Sequence, residues 1–318
     1  MPLAERNDYF VRMTIDRHSA EEERRGSTTD RPPRRPNPQP VSRDQTENDG
    51  TEPTTTDVDQ TRQVWRSPVA TATPRVSLII PALNEEKLIG SMLSLFSRED
   101  REACGLELIV SDGGSDDQTV PIAREHADVV VVHREPRRQT IAEGRNEGAR
   151  EASGDLLVFI NADTRPQDLA LFLETLGHYH AMMPNEGRPV AWACPVRIDP
   201  NEQRLSDRLF HGFFNRYVRL LNLIGLGMGR GECQVVWSDD FRSVGGYENH
   251  MAAGEDFDLY RRLSDRGSIG HGDGLRVYES PRRFRRFGYL RVLFEWTLNG
   301  LAVMVLGRSI SKEWEQIR

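Results

Sequence analysis

The sequence predicts an α/β fold in which a mostly parallel central sheet carries helices on both faces. Short, mostly apolar runs recur at residues 75–80, 106–110, 129–132 and 156–160, as in strands that are covered on both sides. Segments with helical periodicity lie between these runs, so the order of elements is β-α-β-α-β-α-β. That order is typical of parallel strands joined by crossover helices.

Composition indicates that only part of the chain folds. Its 318 residues are enough for one large or two modest domains. Hydrophobic residues make up 37%, and the mean hydropathy of -0.59 is low for a globular protein. Residues 1–72 are rich in Arg, Asp, Glu, Pro and Thr and cannot bury enough surface to offset their ordering entropy. We expect a disordered tail there, a folded domain over 73–281 and a C-terminal segment over 282–318.

Charge and cysteine content argue against several classes of protein. The net charge of -7 gives no electrostatic support for binding nucleic acid. Cys104, Cys194 and Cys233 are odd in number and widely spaced, which disfavours a disulfide framework or a zinc knuckle. The N-terminus lacks the apolar segment of a secretory signal, so we expect a cytoplasmic protein.

Local patterns predict the remaining elements. In the first half we expect helices over 84–96, with Asn84 as the cap, over 117–126 and over 140–152. In the second half we expect helices over 166–182 and 205–223 and a helix that begins at Gly254, with strands over 190–198 and 232–237. The helix over 205–223 is amphipathic, and its apolar side carries Leu209, Phe213, Tyr217 and Leu220 or Leu221.

The C-terminal segment combines a basic stretch with an apolar helix. Arg282, Arg283, Arg285 and Arg286 are expected to form a basic loop, followed by a helix to about Leu306. The longest uncharged run of that helix, residues 296–307, is shorter than the roughly 20 residues that span a bilayer. The helix is therefore expected either to pack in a core or to lie at a membrane surface.

Polar clusters follow several strands, at the edge where open α/β sheets bind ligands. They are Pro81-Ala-Leu-Asn-Glu85, Ser111-Asp112-Gly-Gly-Ser, Asn161-Ala-Asp163 and, at a later helix start, Gly254-Glu255-Asp256. Each cluster also has a structural interpretation. Asp163 can cap a helix, Glu85 can satisfy a helix dipole, and Asp112 can close an Asp-Gly turn. Glu255 and Asp256 can form an ordinary acidic helix N-terminus.

The same side chains suit the binding of a nucleotide. Oxygen ligands at Asn161 and Asp163 can hold a divalent cation, which in turn holds phosphates. Glu85 can accept hydrogen bonds from ribose hydroxyls, and Asp112 can accept one from a base N–H. A carboxylate at Asp256 or Glu255 can act as a general base.

In this order and at these distances, the clusters resemble family 2-type inverting nucleotide-sugar glycosyltransferases with the GT-A (Rossmann-like) fold. The resemblance covers residues 75–290 and includes the segment Arg145-Asn-Glu-Gly148. The C-terminal segment looks like that of a branch with a hydrophobic C-terminal extension. One position departs from the pattern, because Asn161 stands where the first acid of the family's metal motif is expected. The amide removes a negative charge and is expected to weaken metal binding.

The resemblance implies a role for each matched position. Pro81 and Glu85 line the nucleoside pocket, Asp112 reads the base, and Arg145, Arg282 and Arg283 lie near the diphosphate. Asp163 holds Mg²⁺ or Mn²⁺, with Asn161 orienting the nucleoside or a metal-bound water. Asp256, with Glu255 beside it, deprotonates the acceptor.

These roles predict an inverting transfer of a sugar from a nucleotide-diphosphate sugar to a hydroxyl, polyprenyl-phosphate or lipid-linked acceptor. A phosphate acceptor is already ionised and needs a base less than a hydroxyl does. The expected location is cytoplasmic, with peripheral attachment to the cytoplasmic membrane face through the apolar helices. Two alternatives are an inactive nucleotide-sugar-binding scaffold on the same fold, suggested by Asn161, and a nucleotidyltransferase. The second normally has a Gly-rich, Lys-bearing phosphate loop where Pro81 and the residues after it stand.

Overall fold

A computed structural model describes residues 61–71, 73–182, 187–251 and 253–306 of the chain. For residues 301 and 304–306 it describes the backbone alone. The predicted tail over residues 1–72 thus lies outside the described residues up to residue 60, and so does the end of the predicted C-terminal segment.

Strands and helices alternate through the described residues. The strands are β1 (Arg62–Arg66), β2 (Val76–Ala82), β3 (Leu106–Asp112), β4 (Val129–His133), β5 (Leu156–Ile160), β6 (Arg165–Pro166), β7 (Ala191–Ala193), β8 (Val196–Ile198), β9 (Cys233–Trp237), β10 (Ile269–His271) and β11 (Val277–Glu279). The helices are α1 (Ile89–Leu93), α2 (Arg98–Cys104), α3 (Thr119–His126), α4 (Ile141–Glu151), α5 (Leu169–His180), α6 (Leu205–Leu223), α7 (Ser238–Ser243), α8 (Glu255–Ser264), α9 (Arg282–Phe287) and α10 (Tyr289–Leu306). A short 3-10 helix occupies Asp273–Leu275.

The main sheet has eight strands in the order β1-β4-β3-β2-β5-β9-β7-β10. Strands β4, β3, β2 and β5 run parallel to one another, as the crossover pattern predicts. Strand β9 lies antiparallel between β5 and β7, and β1 is antiparallel to β4. A second sheet has the order β6-β11-β8. The predicted, largely parallel α/β architecture is confirmed.

Two apolar cores lie on opposite faces of the main sheet, because successive side chains of a strand point to opposite sides. On strand β2, Leu78 and Ile80 join the core that contains residues of α1, α3 and α5. Ile79 joins the other core, which contains residues of α4, α6 and α8. Helices on both faces therefore explain why the strands read as continuous apolar runs.

The folded domain begins earlier than residue 73. Strand β1 pairs antiparallel with β4 along residues that the sequence pattern assigned to the tail. Its arginines reach helix α4, where Arg62 Nη1 donates to Glu151 Oε1 at 2.6 Å and Arg66 Nη2 donates to Glu151 Oε2 at 2.6 Å. Trp65 packs against an apolar core. The tail boundary at residue 72 was thus wrong, because ion pairs and an edge-strand partner order a segment with polar composition.

The first predicted helix cap was also wrong. Asn84 adopts a left-handed φ of 55°, and α1 begins only at Ile89, after the N-cap residue Leu88. The Asn84 side chain instead accepts a hydrogen bond from the Asp116 backbone N–H at 3.0 Å. It therefore ties the loop after β2 to the loop after β3.

Two predicted elements have different bounds. Helix α5 begins at Leu169 with Asp168 as its cap, since Pro166 pairs in β6. Asp163 therefore does not cap this helix. The strand predicted over residues 190–198 is two strands in different sheets, separated by Cys194 and Pro195. Proline lacks the N–H that would continue a ladder.

The predicted basic loop is a helix, α9. Arg285 donates to the buried Asp207 carboxylate of α6 at 2.7 Å, and Tyr289 donates to the same carboxylate. Although burial opposes it, these hydrogen bonds and one from the Arg204 backbone lower the pKa of Asp207. The buried anion thus fixes α9 and the start of α10 against α6.

Among the described helices, none combines the length and apolar character needed to cross a membrane.

Candidate active site

A buried guanidinium connects three distant parts of the chain. Arg145 of α4 is 1% exposed. Its Nη1 donates to Glu255 Oε1 at 2.8 Å, at the start of α8. Its Nη2 donates to the Gly231 carbonyl at 2.7 Å and to Asn161 Oδ1 at 3.2 Å, directly after β5. The carboxyl end of the central strand and the N-terminus of α8 therefore meet at one cation.

Helix α4 holds Arg145 rigidly against the sheet. A capping box starts the helix, because Thr140 accepts from the Glu143 N–H and the Glu143 side chain accepts from the Thr140 N–H. Near its other end, a Cβ added to Gly148 would lie 2.4 Å from Ile79 Cγ2. Glycine there lets the helix lie directly on β2, which sets the depth at which Arg145 enters the protein.

Gly231 permits the closest approach in the site. A Cβ at this position would lie 3.3 Å from Arg145 Nη2 and 3.3 Å from Asp256 Oδ2. The missing side chain therefore lets the cation and a second carboxylate approach the same backbone segment. Gly254, with a φ of 77°, supplies the turn that starts α8 immediately before the two acids.

A cavity of about 450 Å³ opens beside this cluster. Its polar end is lined by Arg145, Asn161, Glu255 and Asp256. Its apolar lining comes from α6, from the segment that follows α6 and from α10. The apolar lining residues include Phe213, Phe214, Tyr217, Leu221, Leu226, Met228, Leu293 and Trp296. A mainly apolar cavity with a few convergent polar groups is the usual form of a small-molecule site.

Asp256 has the properties of a base in this cavity. Burial and the neighbouring Glu255 carboxylate raise the pKa of Asp256 to about 7, whereas Arg145 acts in the opposite direction. The Phe257 N–H donates to Asp256 Oδ1 at 2.8 Å and holds the carboxylate in place. A carboxylate with a pKa near neutrality is well suited to accept and release protons at physiological pH.

Asp163 lies two residues beyond Asn161 and faces helix α9. Arg282 Nη2 donates to Asp163 Oδ2 at 3.3 Å. Loss of solvent around the carboxylate raises the pKa of Asp163, and the charge of Arg282 lowers it. The pKa of Asp163 is raised on balance. Arg283 lies close enough to Asp163 and Glu232 to interact with both carboxylates. The structure therefore brings Asp163, Arg282 and Arg283 together.

The donor set around Asp163 fits a cation that is completed by phosphate oxygens. Among the described residues, no three His, Cys, Asp or Glu side chains surround a common point. The Asn161 amide oxygen is already an acceptor for Arg145. One carboxylate with substrate phosphates is a common mode of Mg²⁺ binding, so Asp163 suits a metal that arrives with its nucleotide.

The predicted nucleoside residues lie at the same edge of the sheet but do not line the cavity. Pro81 is the second-last residue of β2 and pairs with Ser111 of β3, and Asp112 is the last residue of β3. The Asp112 carboxylate is buried and accepts from the Gly114 and Ser115 N–H groups at 3.0 and 2.8 Å. Asp112 therefore closes its own loop. The Glu85 N–H donates to Thr119 Oγ1 at 2.8 Å, which joins the loop after β2 to the first residue of α3.

A second buried cation was missed in the sequence. Arg230 is 3% exposed and donates to Glu232 Oε1 at 3.0 Å and to Glu279 Oε1 at 2.6 Å. Burial and repulsion from Glu232 raise the pKa of Glu279 well above its ordinary value. Burial and Arg230 lower the pKa of His211 to about 3. The Arg230-Gly-Glu232 sequence directly before an apolar strand was the signal for these buried charges.

Parts of the chain are similar to known glycosyltransferases. The family described as Glycosyl transferase family 2 matches residues 77–183. The uncharacterized glycosyltransferase YfnE of Bacillus subtilis is 40% identical in an alignment 226 residues long that covers 66% of this chain and 50% of YfnE. Validoxylamine A glucosyltransferase of Streptomyces hygroscopicus subsp. limoneus is 26% identical over 61% of this chain and 49% of its own length. The chain thus spans about half the length of these relatives.

A solved structure shares the fold. Glucosyl-3-phosphoglycerate synthase from Mycobacterium tuberculosis, in complex with Mn²⁺, UDP and phosphoglyceric acid, superposes with a TM-score of 0.50 at 22% identity. The match covers 74% of this chain and 79% of that chain. Identity at this level concerns the fold, and it agrees with the predicted GT-A architecture.

The buried pair of Arg145 and Glu255 predicts a large effect on stability. Arg145→Met should lower the free energy of unfolding by about 3–5 kcal/mol, because it leaves a buried carboxylate without its partner. Urea unfolding at neutral pH measures the change. Arg150→Met, on the same helix but with a side chain that is 56% exposed and paired with Glu147, is the matched control. It should cost less than about 1 kcal/mol, and equal effects of the two changes would contradict the assignment.

Proposed function

We propose that this chain is an inverting nucleotide-sugar glycosyltransferase of family 2, the family whose model matches residues 77–183, and that its general base is Asp256. The observation that carries the proposal is the cavity in which Arg145, Asn161, Glu255 and Asp256 converge. The raised pKa of Asp256 supports a catalytic role over that of an inactive scaffold.

The donor would bind along the carboxyl edge of strands β2, β3 and β5. Pro81, Glu85 and Asp112 lie where the nucleoside is expected, and the loops that carry Glu85 and Asp112 are joined by hydrogen bonds. Arg282 and Arg283 provide positive charge near Asp163 for the diphosphate. A Mg²⁺ or Mn²⁺ ion held by Asp163 and the phosphates would stabilise the negative charge that develops on the leaving group.

Arg145 would act by positioning rather than by contact with the phosphates. Its Nη groups are occupied by Glu255, Gly231 and Asn161. These bonds hold Glu255, and with it the start of α8, against the end of β5. Asp256 follows Glu255 in the helix, so its carboxylate is kept beside the cavity.

In the transfer step, Asp256 would accept the proton of the acceptor hydroxyl as its oxygen bonds to the anomeric carbon. The bond between that carbon and the diphosphate oxygen breaks, and its electron pair leaves with the nucleoside diphosphate. Attack on the face opposite the leaving group inverts the configuration. Glu255 stays paired with Arg145 and raises the basicity of its neighbour by repulsion.

The base and the cavity lining together favour a hydroxyl on an amphiphilic acceptor. A raised carboxylate pKa is useful for a neutral hydroxyl, whereas a phosphate acceptor is already ionised. The aromatic and aliphatic lining suits an apolar part of the acceptor, such as a lipid-linked sugar. We also propose a cytoplasmic location with peripheral membrane contact, which the transfer reaction itself does not require.

Removing the base should abolish transfer and change its pH dependence. Asp256→Asn should lower kcat for a hydroxyl acceptor by about 10²–10⁴-fold while donor binding persists. In the wild type, a pKa of about 7 means that Asp256 is protonated below neutrality. We therefore expect kcat/KM to fall as the pH drops below about 7, with a midpoint there.

Steady-state kinetics with a panel of UDP-, GDP- and TDP-sugars tests both expectations. Asp265→Asn, at the exposed C-terminal end of the same helix, should leave activity unchanged. A wild-type profile with its midpoint near pH 4, or an Asp256→Asn variant that remains active, would argue against Asp256 as the base.

Asp163 should couple metal binding to nucleotide binding. UDP, GDP or TDP with Mn²⁺ should raise the Tm of the wild type, since a ligand that binds only the folded state stabilises it by mass action. Asp163→Ala should lose the Mn²⁺-dependent part of that rise. Asp155→Ala, just before the opposite end of β5 with an exposed side chain, should keep it. An unchanged Mn²⁺ effect in Asp163→Ala would place the metal elsewhere.

A further inference from the structure

Helix α6 exposes an apolar stripe along its whole length. The α6 stripe consists of Leu205, Leu209, Phe213, Tyr217, Leu220, Leu223 and Ile224. Their exposed fractions range from 41% for Tyr217 to 76% for Leu223. Single exposed apolar residues are common on proteins, but a continuous row at helical spacing marks an interaction surface.

Helix α6 packs against the rest of the protein through a different face from the stripe. That inward face carries Asp207, His211, Phe214 and Val218, all of which are buried. Phe214 contacts Trp296 of α10, with 5.4 Å between ring centroids. The helix therefore packs fully on one side and still carries large apolar side chains on another, which folding of the described chain does not require.

Helix α10, which lines the cavity together with α6, also exposes apolar side chains. On α10, Leu290 and Phe294 are exposed by 85% and 67%. Phe213 and Tyr217 stack with a centroid distance of 6.3 Å, and both belong to the α6 stripe and to the lining of the cavity that contains Asp256. An apolar path thus leads from the outer surface to the proposed base.

The charged side chains beside the stripe on α6 itself are arginines. From residue 208 to the end of α6, the charged side chains are Arg208, Arg216 and Arg219, and there is no acidic residue. Helix α9 has four more arginines, of which Arg282 and Arg285 are paired with Asp163 and Asp207. On α10, Arg291 and Glu295 are paired with each other. The whole chain has a net charge of -7, so this local excess of positive charge runs against the overall balance. Arginines beside an apolar helix face are complementary to a membrane with anionic lipid headgroups.

We propose that the α6 stripe and the exposed face of α10 dock onto the surface of an anionic lipid bilayer. The apolar side chains enter the region between headgroups and acyl chains, and the arginines remain among the headgroups. Phe213 and Tyr217 then connect the cavity to the bilayer, so that an acceptor can keep its acyl or prenyl chain in the membrane while its hydroxyl reaches Asp256. Docking itself is independent of catalysis, and only this use of it rests on the proposed function.

Vesicle co-sedimentation of the full chain tests the docking. The wild type should bind vesicles that contain phosphatidylglycerol, and it should bind phosphatidylcholine vesicles more weakly. Leu209→Gln with Leu220→Gln, two stripe residues that do not line the cavity, should reduce binding by about tenfold or more because less apolar area is buried. Leu95→Gln with Leu171→Gln changes two exposed leucines elsewhere and should leave it unchanged.

The arginines make a separate prediction within the same assay. Arg208→Gln with Arg219→Gln should remove the preference for phosphatidylglycerol and its sensitivity to salt, and leave the weak binding to phosphatidylcholine. Wild-type protein that sediments with neither vesicle type would overturn the proposal. So would a dimer that binds no vesicle and becomes monomeric in the Leu209→Gln, Leu220→Gln variant, because the stripe would then be an interface between copies of the chain.

Two readouts separate this inference from the proposed function. If the wild type binds vesicles but transfers no sugar from any nucleotide donor, docking stands and the enzymatic proposal fails. If the protein transfers sugar to water-soluble acceptors yet binds no vesicle, the enzymatic proposal stands and docking fails. The Leu209→Gln, Leu220→Gln variant should keep its Mn²⁺-dependent nucleotide binding, which shows that its loss of vesicle binding is not a loss of folding.

Discussion

The burial of the Arg145 guanidinium is the constraint on which the proposed site depends. Moving an isolated charge out of water is costly, so a buried cation persists only where partners compensate it. Here the partners are the Glu255 carboxylate, the Gly231 carbonyl and the Asn161 amide, which are far apart in the sequence. They can surround Arg145 only when the sheet, α4 and α8 are assembled together. Folding of the two halves is therefore coupled at the cavity.

The same constraint gives a reason for Asn161. An amide accepts a hydrogen bond from Arg145 without adding a charge, and Glu255 then supplies the compensating negative charge. In the proposed site, negative charge for a cation would come from Asp163, which lies near two arginines of α9. A site built in this way would bind metal weakly until the phosphates of a nucleotide arrive. The departure from two acids is thus compatible with a working site.

The sequence pattern predicted part of the fold and part of the proposed site. The alternation of apolar runs and helical periodicity predicted the parallel strands β2 to β5, and strand-end polarity predicted which edge carries the site. Asn161 was found because it follows a strand, and Asp256 because it lies at the start of a helix. Arg145 was assigned to the diphosphate only by resemblance. Its ion pair with Glu255 spans 110 positions of the chain, and no local pattern encodes such a contact.

The errors share a physical origin in tertiary context. Strand β1 is polar in composition and is ordered by its pairing with β4 and by ion pairs to α4. Helix α9 forms where a basic loop was expected because Arg285 and Tyr289 bind the buried Asp207. The pattern of α6 showed an apolar side, but periodicity cannot say whether such a side faces a core or solvent. Only the packing of Phe214 and Val218 identified the other face as the buried one.

A crystal structure of the protein grown with UDP and Mn²⁺, or with whichever nucleotide gives the largest thermal shift, tests the central claim most directly. We expect the nucleoside at the ends of β2 and β3, the diphosphate between Asp163 and α9, and Arg145 still bound to Glu255 and Asn161. A nucleotide bound away from this edge, or a structure in which Asp163 and Asp256 do not face the same ligand, would contradict it.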